Sequence, residues 1–235
     1  MTPLPPVDGP PLLTVRRLGR IAYYPALQLQ RQLATRVQQQ PGEAYLLLLE
    51  HDPVLTLGRR GRPANILVPP ERLALEGISV VETDRGGDVT YHGPGQVVAY
   101  PILDMRTIHK SVKTWVRGLE EVMIRTCAAF GVKAFKKNCL IGVWTDAGKI
   151  GAIGVHISRH VSTHGLAFNV SPDPAHFAMI HPCGLVGEPV ARLTDLVPDG
   201  VTVPAAMDVI EQEFRKVFAF QPEPRARAGS EASRN

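Results

Sequence analysis

The chain has 235 residues, 44% of them hydrophobic and 20% charged, with a mildly basic formal net charge of +4. No apolar run approaches the roughly 18 residues that span a bilayer, and no secretory signal is visible. The three cysteines lack the spacing of a disulfide framework. Aromatic residues make up only 6%, too few for the stacking platforms of single-stranded nucleic-acid binding. We therefore expect a cytoplasmic globular protein without membrane or nucleic-acid partners.

The two ends of the chain differ in composition from its middle. Residues 1–11 include five prolines, and residues 221–235 are rich in Pro, Arg, Ala and Ser with almost nothing apolar. Segments of this kind bury too little apolar surface to offset the entropy of folding. We therefore predict two disordered tails around a single folded domain at residues 12–220.

Short elements of helical and strand periodicity alternate along the chain. Ser111 is placed to cap a long amphipathic helix. Short hairpin links, such as residues 146–148, imply antiparallel pairing. We expect an α/β protein of the α+β type, with a mixed, largely antiparallel central sheet flanked by helices. Strands are predicted at residues 12–18, 44–50, 78–82, 96–103, 141–145, 149–157 and 161–170. Helices are predicted from Pro25 to before Pro41, after Pro70, after Ser111 and at residues 204–218.

Residues 85–96 form a glycine-rich segment, with four glycines and one proline in twelve residues. This density indicates tight turns and close backbone approach. The segment lacks the Gly-Lys-Ser/Thr of a Walker loop and is not the dinucleotide fingerprint. Two interpretations remain open. The segment is either a hairpin that carries polar side chains, or a loop whose backbone and side chains, such as those of Arg85, Thr90 and His92, contact a ligand.

Lys149 begins a predicted strand. By strand alternation its side chain shares a face with Ile153, Val155 and Ile157. A lysine that heads an apolar face is either desolvated, which disfavours its charge, or reaches solvent at the hairpin end. Both interpretations remain open from these residues.

The three cysteines differ in how well packing explains them. Cys127 belongs to the apolar face of a predicted helix and should be inert. Cys139 follows two lysines, so its thiol pKa could be lowered. Cys183 lies between Pro182 and Gly184, outside any periodic apolar pattern. Packing therefore explains Cys183 least of the three.

Histidines recur every four residues at His156, His160 and His164. On a helix this spacing would indicate a metal site, but here it falls across two predicted strands and a turn. We therefore predict no metal site. His164 is interpreted either as a pocket residue or as a hydrogen-bonded core histidine.

Several segments, in this order, together resemble the lipoyl(octanoyl) transferases, which are octanoyl-[acyl carrier protein]:protein transferases of lipoate biosynthesis. Weaker matches occur at residues 18–30 and 51–61. The resemblance implies the fold of the biotin and lipoate protein ligases, with a single catalytic domain. The main matching segments are RGGDVTYHGPGQ at 85–96, GVW and GKIGAIG within 142–154, THGLAFNV at 163–170 and PCGL at 182–185.

The resemblance also implies roles for individual residues. Cys183 matches the nucleophile that carries the acyl group as a thioester, and Lys149 matches the lysine that lowers the cysteine pKa and transfers protons. Where many relatives have alanine, this chain has Gly151. No cofactor and no metal are implied. The residues that match acyl-substrate-binding segments are Arg85, Gly86, Gly87, Asp88, Val89, Thr90, Tyr91, His92, Ala152, Ile153, Gly154, Gly165, Leu166 and Ala167.

Partners follow from the same resemblance. Octanoyl-acyl carrier protein is implied as the donor, and lipoyl domains of 2-oxoacid dehydrogenases and the glycine-cleavage H protein are implied as acceptors. Because such partners are typically acidic, the cluster of Arg59, Arg60 and Arg62 is a candidate docking site.

Three other functions are weighed against octanoyl transfer. An ATP-dependent lipoate or biotin ligase on the same fold would not need the pair of Cys183 and Lys149. A non-catalytic module that binds carrier or lipoyl domains would form no acyl adduct. A cysteine peptidase with His181 or His92 as base is disfavoured because its lysine would be idle.

Overall fold

The structure is a computed structural model that describes residues 12–40, 42–181 and 187–220. The predicted tails at residues 1–11 and 221–235 lie outside these ranges, so their disorder and the single-domain division stay predictions. Cys183 also lies outside the described residues.

The larger of two sheets in the described residues has six strands in the order β1-β2-β6-β9-β8-β7. Only β1 and β2 pair in parallel; the other neighbours are antiparallel. The sheet agrees with the predicted mixed, largely antiparallel architecture. Its strands are β1 (Leu12–Ile21), β2 (Glu43–His51), β6 (Gln96–Ile102), β7 (Val143–Thr145), β8 (Gly148–Ser158) and β9 (Val161–Asn169).

A second sheet was not predicted. It has the order β4-β3-β5, with β3 at Val54–Leu57, β4 at Ser79–Glu82 and β5 at Val89–His92. The strand near residues 78–82 was expected, but β3 and β5 were missed. Both have four residues and are buried throughout, too short for a periodic signal.

Helices cover both faces of the six-stranded sheet. The continuous apolar run of β2 is explained by this layering, because Leu46 and Leu48 join one core and Leu47 and Leu49 the other. Ser111 caps the long helix as predicted, accepting a hydrogen bond from the Thr114 amide at 3.2 Å. The helices are α1 (Tyr23–Gln39), α2 (Pro70–Leu75), α3 (Val112–Ala129), α4 (Pro174–Phe177) and α5 (Val203–Phe218).

The helices of the described ranges include none long and apolar enough to cross a membrane.

Helix α1 contributes Ala26 and Val37 to one core, whereas α3 and α5 contribute Trp115 and Phe214 to the other. Tyr23, the first residue of α1, lines the first of the two cavities described below.

A β-bulge interrupts β8 beside Lys149. Val143 pairs with Gly151 but Trp144 pairs with Lys149, so β8 holds one extra residue there. Ile150 enters the core on the α3 side, whereas Lys149 lines a cavity. The predicted common face of Lys149 with the later apolar residues of β8 is therefore wrong. Those residues, which pack against the core of Ile150, are Ile153, Val155 and Ile157.

Candidate active site

Two adjoining cavities lie between the small sheet and the β8–β9 pair. Their volumes are about 30 Å³ and about 20 Å³, and Thr90 and Ala152 line both of them. The first cavity is lined by Tyr23, Arg85, Gly87, Thr90, His92, Tyr100, Ala152, Ile153, Gly154, His164, Gly165, Leu166 and Ala167. The second is lined by Thr90, Gln96, Lys149, Gly151, Ala152, Asn169, Phe177 and Val190.

Strand β5 divides the predicted residues of the glycine-rich segment between two faces. Thr90 and His92 line the first cavity, whereas Val89 and Tyr91 join the hydrophobic cluster of the small sheet. The Tyr91 hydroxyl is hydrogen-bonded to His176 Nδ1 at 2.7 Å. The segment is thus a loop followed by a strand, and alternation along that strand decides which side chains reach the cavity.

The loop before β5 is held by Arg85. Its buried guanidinium donates to Thr56 Oγ1 at 3.0 Å and to the Asp88 carbonyl at 2.7 Å. Asp88 Oδ1 accepts from the amides of Arg62 and Val89 at 2.9 and 2.7 Å. Arg85 and Gly87 line the first cavity, whereas Gly86 and Asp88 shape the loop without lining either described cavity.

Paired small residues form the floor of the first cavity. Ala152 faces Ala167, and Gly154 faces Gly165, across the β8–β9 ladder. A Cβ on Gly154 would lie 2.9 Å from the Gly86 carbonyl oxygen, so only glycine lets the loop rest on β8. All six residues predicted on these two strands line the cavity together.

Gly151, where many relatives have alanine, faces the opposite side of β8. A Cβ there would lie 2.4 Å from Met123 Sδ on α3. The methionine therefore occupies the space that an alanine side chain would need on the α3 side, whereas Gly151 itself lines the second cavity.

Lys149 is buried, with 6% of its surface exposed, and lines the second cavity. Its amide donates to the Pro189 carbonyl at 2.8 Å and its carbonyl accepts from the Ala191 amide at 3.0 Å. Its Nζ lies 5.0 Å from the centroid of the Trp144 ring, a cation–π distance. The interpretation of Lys149 as a solvent-exposed hairpin end is therefore wrong.

A second lysine and a glutamate surround the same tryptophan. Lys137 Nζ lies 5.4 Å from the Trp144 centroid and forms an ion pair with Glu188. The hydrogen bond from Lys137, together with its charge, chiefly holds the pKa of Glu188 below its usual value, and Lys149 adds the smallest contribution in the same direction. The carboxylate is therefore ionised beside Lys149 at neutral pH.

Buried histidines and tyrosines line the first cavity from the other side. His51 Nδ1 faces the Ile21 carbonyl at 2.8 Å, so the proton lies on Nδ1 and Nε2 accepts from the Tyr100 hydroxyl at 2.8 Å. Burial lowers the pKa of His51 to about 4 and raises that of Tyr23 to about 12. Tyr23, His51 and Tyr100 were not predicted from the sequence; the only signal was the weaker resemblance at residues 18–30 and 51–61, which contain Tyr23 and His51.

A hydrogen-bond network links the cavities. The Gln96 amide donates to Asn169 Oδ1 at 3.0 Å and its oxygen accepts from His92 Nδ1 at 2.7 Å. Asn169 in turn donates to the Ala191 carbonyl at 3.3 Å, next to Lys149. Burial lowers the pKa of His92 well below its usual value, so this imidazole is neutral.

His164 both lines the first cavity and is hydrogen-bonded, so its two predicted interpretations coexist. Its Nε2 lies 2.8 Å from Asp84 Oδ1, and His156 Nε2 lies 3.6 Å from Asp84 Oδ2. His160 is exposed in the β8–β9 turn. The described ranges contain no group of three or more His, Cys, Asp and Glu side chains able to hold a metal ion.

Cys127 matches its predicted setting, because it is fully buried in the core, and burial raises its thiol pKa to about 12. Cys139 is exposed. On either side of the undescribed residues 182–186, the His181 amide donates to the Asn65 carbonyl at 2.8 Å, and the Pro189 carbonyl accepts from Lys149.

Solved structures share this fold at low identity. Lipoate-protein ligase A bound with ATP superposes with a TM-score of 0.68 at 15% identity, covering 90% of this chain and 86% of that one. A bi-partite lipoate protein ligase from Thermoplasma acidophilum gives 0.70 at 17%, covering 89% and 84%. The predicted fold class is thereby confirmed.

The family is shown by closer sequence similarity. The protein-family model of the lipoyl protein ligase A/B catalytic domain matches residues 22–215 of this chain. The octanoyltransferase of Solibacter usitatus is 46% identical over 205 residues, covering 87% of this chain and 90% of that protein. That of Chloroflexus aggregans is 49% identical over 214 residues, covering 89% and 96%.

The chain belongs to the lipoyl protein ligase A/B catalytic domain family, among the octanoyltransferases, and is an acyltransferase. The predicted family, enzyme class and octanoyltransferase function are confirmed. The ligase alternative has less support, because the relatives at this level of identity are octanoyltransferases, whereas the ligases share only the fold.

Proposed function

We propose that this chain transfers an octanoyl group from octanoyl-acyl carrier protein to the acceptor lysine of lipoyl domains, through a thioester on Cys183. The acceptors are lipoyl domains of 2-oxoacid dehydrogenases and the glycine-cleavage H protein. The reaction takes place in the cytoplasm and needs no cofactor.

One observation supports this proposal most directly. Buried Lys149 lines the second cavity, and small residues of β8 and β9 form the floor of the first cavity, called here the slot. Thr90 and Ala152 line both cavities. An acyl chain in the slot would therefore present its carbonyl towards Lys149. Burial of the six interior methylenes of octanoyl would contribute at most about 5 kcal/mol to binding.

The first step exchanges one thioester for another. The Cys183 thiolate, stabilised by the Lys149 ammonium, attacks the octanoyl carbonyl, so that a new C–S bond forms and the bond to the pantetheine sulfur breaks. Lys149 donates its proton to the leaving pantetheine thiolate. This leaves octanoyl on Cys183 and a neutral Lys149.

The second step forms the amide. The neutral amine of the acceptor lysine attacks the thioester carbonyl, a C–N bond forms, and Cys183 leaves as a thiolate. The amine proton passes to neutral Lys149 as general base, which restores the starting thiolate and ammonium. The burial of Lys149 beside Trp144 suits this exchange, because little water competes for the proton.

Intact-mass measurement tests the covalent intermediate. After mixing with octanoyl-acyl carrier protein and no acceptor, the wild-type chain should gain one octanoyl group. Cys183→Ala should gain none, because the attacking thiolate is gone. Cys139→Ala, which removes an exposed cysteine, should acylate like the wild type and serves as the control. Octanoyl transfer by Cys183→Ala at the wild-type rate would refute the mechanism.

A second assay separates transferase from ligase activity. Free octanoate with ATP should give no product, whereas octanoyl-acyl carrier protein should give product without ATP. The opposite pattern would favour the ligase alternative, and binding without any adduct would favour a non-catalytic module.

A further inference from the structure

We propose that residues 58–62, called here the arginine turn, form the docking site for the acidic carrier protein that delivers the acyl group. This inference rests on the proposed function. The three guanidinium groups of the turn would contact carboxylates of the carrier and the phosphodiester that joins the carrier to its pantetheine arm.

The first argument is that the charges of the arginine turn are available. Arg59, Arg60 and Arg62 are exposed, and none of them forms an ion pair with a residue of the described ranges. Eight of the thirteen arginines that the described ranges contain outside the turn behave differently, because they already face carboxylates of this chain. Those ion-paired arginines are Arg17, Arg20, Arg36, Arg72, Arg106, Arg125, Arg192 and Arg215.

The second argument is the position of the turn against the cavity wall. The Arg59 amide donates to the Arg85 carbonyl at 2.9 Å, and the Arg60 amide donates to the Gly87 carbonyl at 3.1 Å. Arg85 and Gly87 line the first cavity. The arginine turn is therefore the outer layer of the loop whose inner side forms the cavity wall.

The third argument is that the residues after the turn form hydrogen bonds with the segment that precedes Cys183 in the chain. The Arg62 amide binds Asp88 Oδ1 at 2.9 Å. Further along, the Asn65 carbonyl accepts from the His181 amide and the Leu67 amide donates to the Met179 carbonyl, each at 2.8 Å. The turn thus connects the cavity wall with the segment at residues 179–181, which leads to residue 182.

The chemistry of the turn favours the donor over other anionic partners. A guanidinium fork matches phosphate and carboxylate groups in a bidentate manner. The carrier has both groups, and its arm must enter the active site while its phosphodiester stays outside; a lipoyl domain brings no phosphate. Residues 58–65 contain no aromatic side chain, so the stacking surface of a nucleic-acid site is absent from this segment.

Steady-state kinetics with two donors test the docking site. In the double variant Arg59→Glu/Arg60→Glu, the KM for octanoyl-acyl carrier protein should rise by roughly tenfold or more at low ionic strength. The difference from wild type should shrink at high salt, because ions screen exposed charges. The KM and kcat with octanoyl-pantetheine, which has neither carrier nor phosphate, should stay unchanged, as should the KM for the acceptor.

A matched control carries the same charge change elsewhere. Lys113 and Arg117 are exposed on α3, which packs on the opposite face of the six-stranded sheet. Lys113→Glu/Arg117→Glu should leave the KM for octanoyl-acyl carrier protein near the wild-type value. An effect of the arginine-turn variant no larger than this control, or one independent of salt, would overturn the proposal, and so would a change confined to the acceptor KM. Failure of the proposed function itself is distinct: the wild type would then transfer octanoyl from neither donor.

Discussion

The side chain of Tyr23 fills space that an acyl chain would need. The residue is buried at the start of α1 and lines the first cavity, with its ring 5.2 Å from His51 and stacked 6.5 Å from His92. Because this ring forms part of the cavity wall, its bulk bears directly on how long a chain fits. Tyr23 is therefore a candidate determinant of chain length.

Removing the ring should broaden the chain-length preference. One methylene usually discriminates by about 1–3 kcal/mol, so Tyr23→Ala should raise the ratio of kcat/KM for decanoyl over octanoyl donors by roughly tenfold or more. Tyr23→Phe should keep the wild-type ratio because it keeps the ring. Tyr24→Ala, at a neighbouring side chain that is 62% exposed, is the control. An unchanged ratio in Tyr23→Ala would mean that this ring does not limit chain length.

The strand pair β8–β9 gives the cavity its floor and its length. Seven C–C bonds of an extended octanoyl chain span roughly 8–9 Å, about the length of two to three residues of strand. Starting beside Lys149, such a chain would reach the level of the Ala152–Ala167 pair. The first pair of small residues on the two strands therefore lies within the length of the proposed substrate.

A larger side chain at the junction of the two cavities should block this path. Ala152→Leu places three more carbon atoms between Lys149 and the slot, so octanoyl transfer should fall at least tenfold while the circular dichroism spectrum stays native. Ala147→Leu makes the same change in the exposed β7–β8 turn and should keep wild-type activity. Full activity of Ala152→Leu would show that the acyl chain does not pass this point.

Buried neutral histidines make the fold as a whole sensitive to acid. His51 has a pKa of about 4 in the folded protein against 6.5 as its usual value, and burial also lowers the pKa of His92 and His164. Between these two pH values the unfolded chain binds a proton that the folded chain does not. The stability present above pH 6.5 therefore decreases as the pH falls towards 4.

Urea unfolding at several pH values measures this effect. The contribution of His51 should be roughly 3 kcal/mol between pH 7 and pH 4. In His51→Gln the free energy of unfolding should be lower at pH 7 but should depend less steeply on pH. His160→Asn, at an exposed histidine, should keep the wild-type slope. The same slope in His51→Gln and wild type would contradict the assignment of the acid sensitivity to His51.

The sequence by itself determined the elements whose signals are local. The period of apolar residues predicted the helices α1, α3 and α5, and Ser111 alone predicted the cap of α3. The continuous apolar run at residues 44–50 predicted the buried strand β2. The cavity-lining positions on β8 and β9 were also predicted, because they belong to segments that resemble a known family.

Only the tertiary structure decided features that depend on pairing between distant segments. The bulge that turns Lys149 into the cavity follows from the register of β7 against β8, and the four-residue strands β3 and β5 pair with each other from distant parts of the sequence. The network of His51, Tyr100 and His92 joins side chains from three strands. No local sequence pattern predicts such contacts, because the residues that form them are far apart in the chain. The contacts form only when folding brings these residues together and excludes water from them.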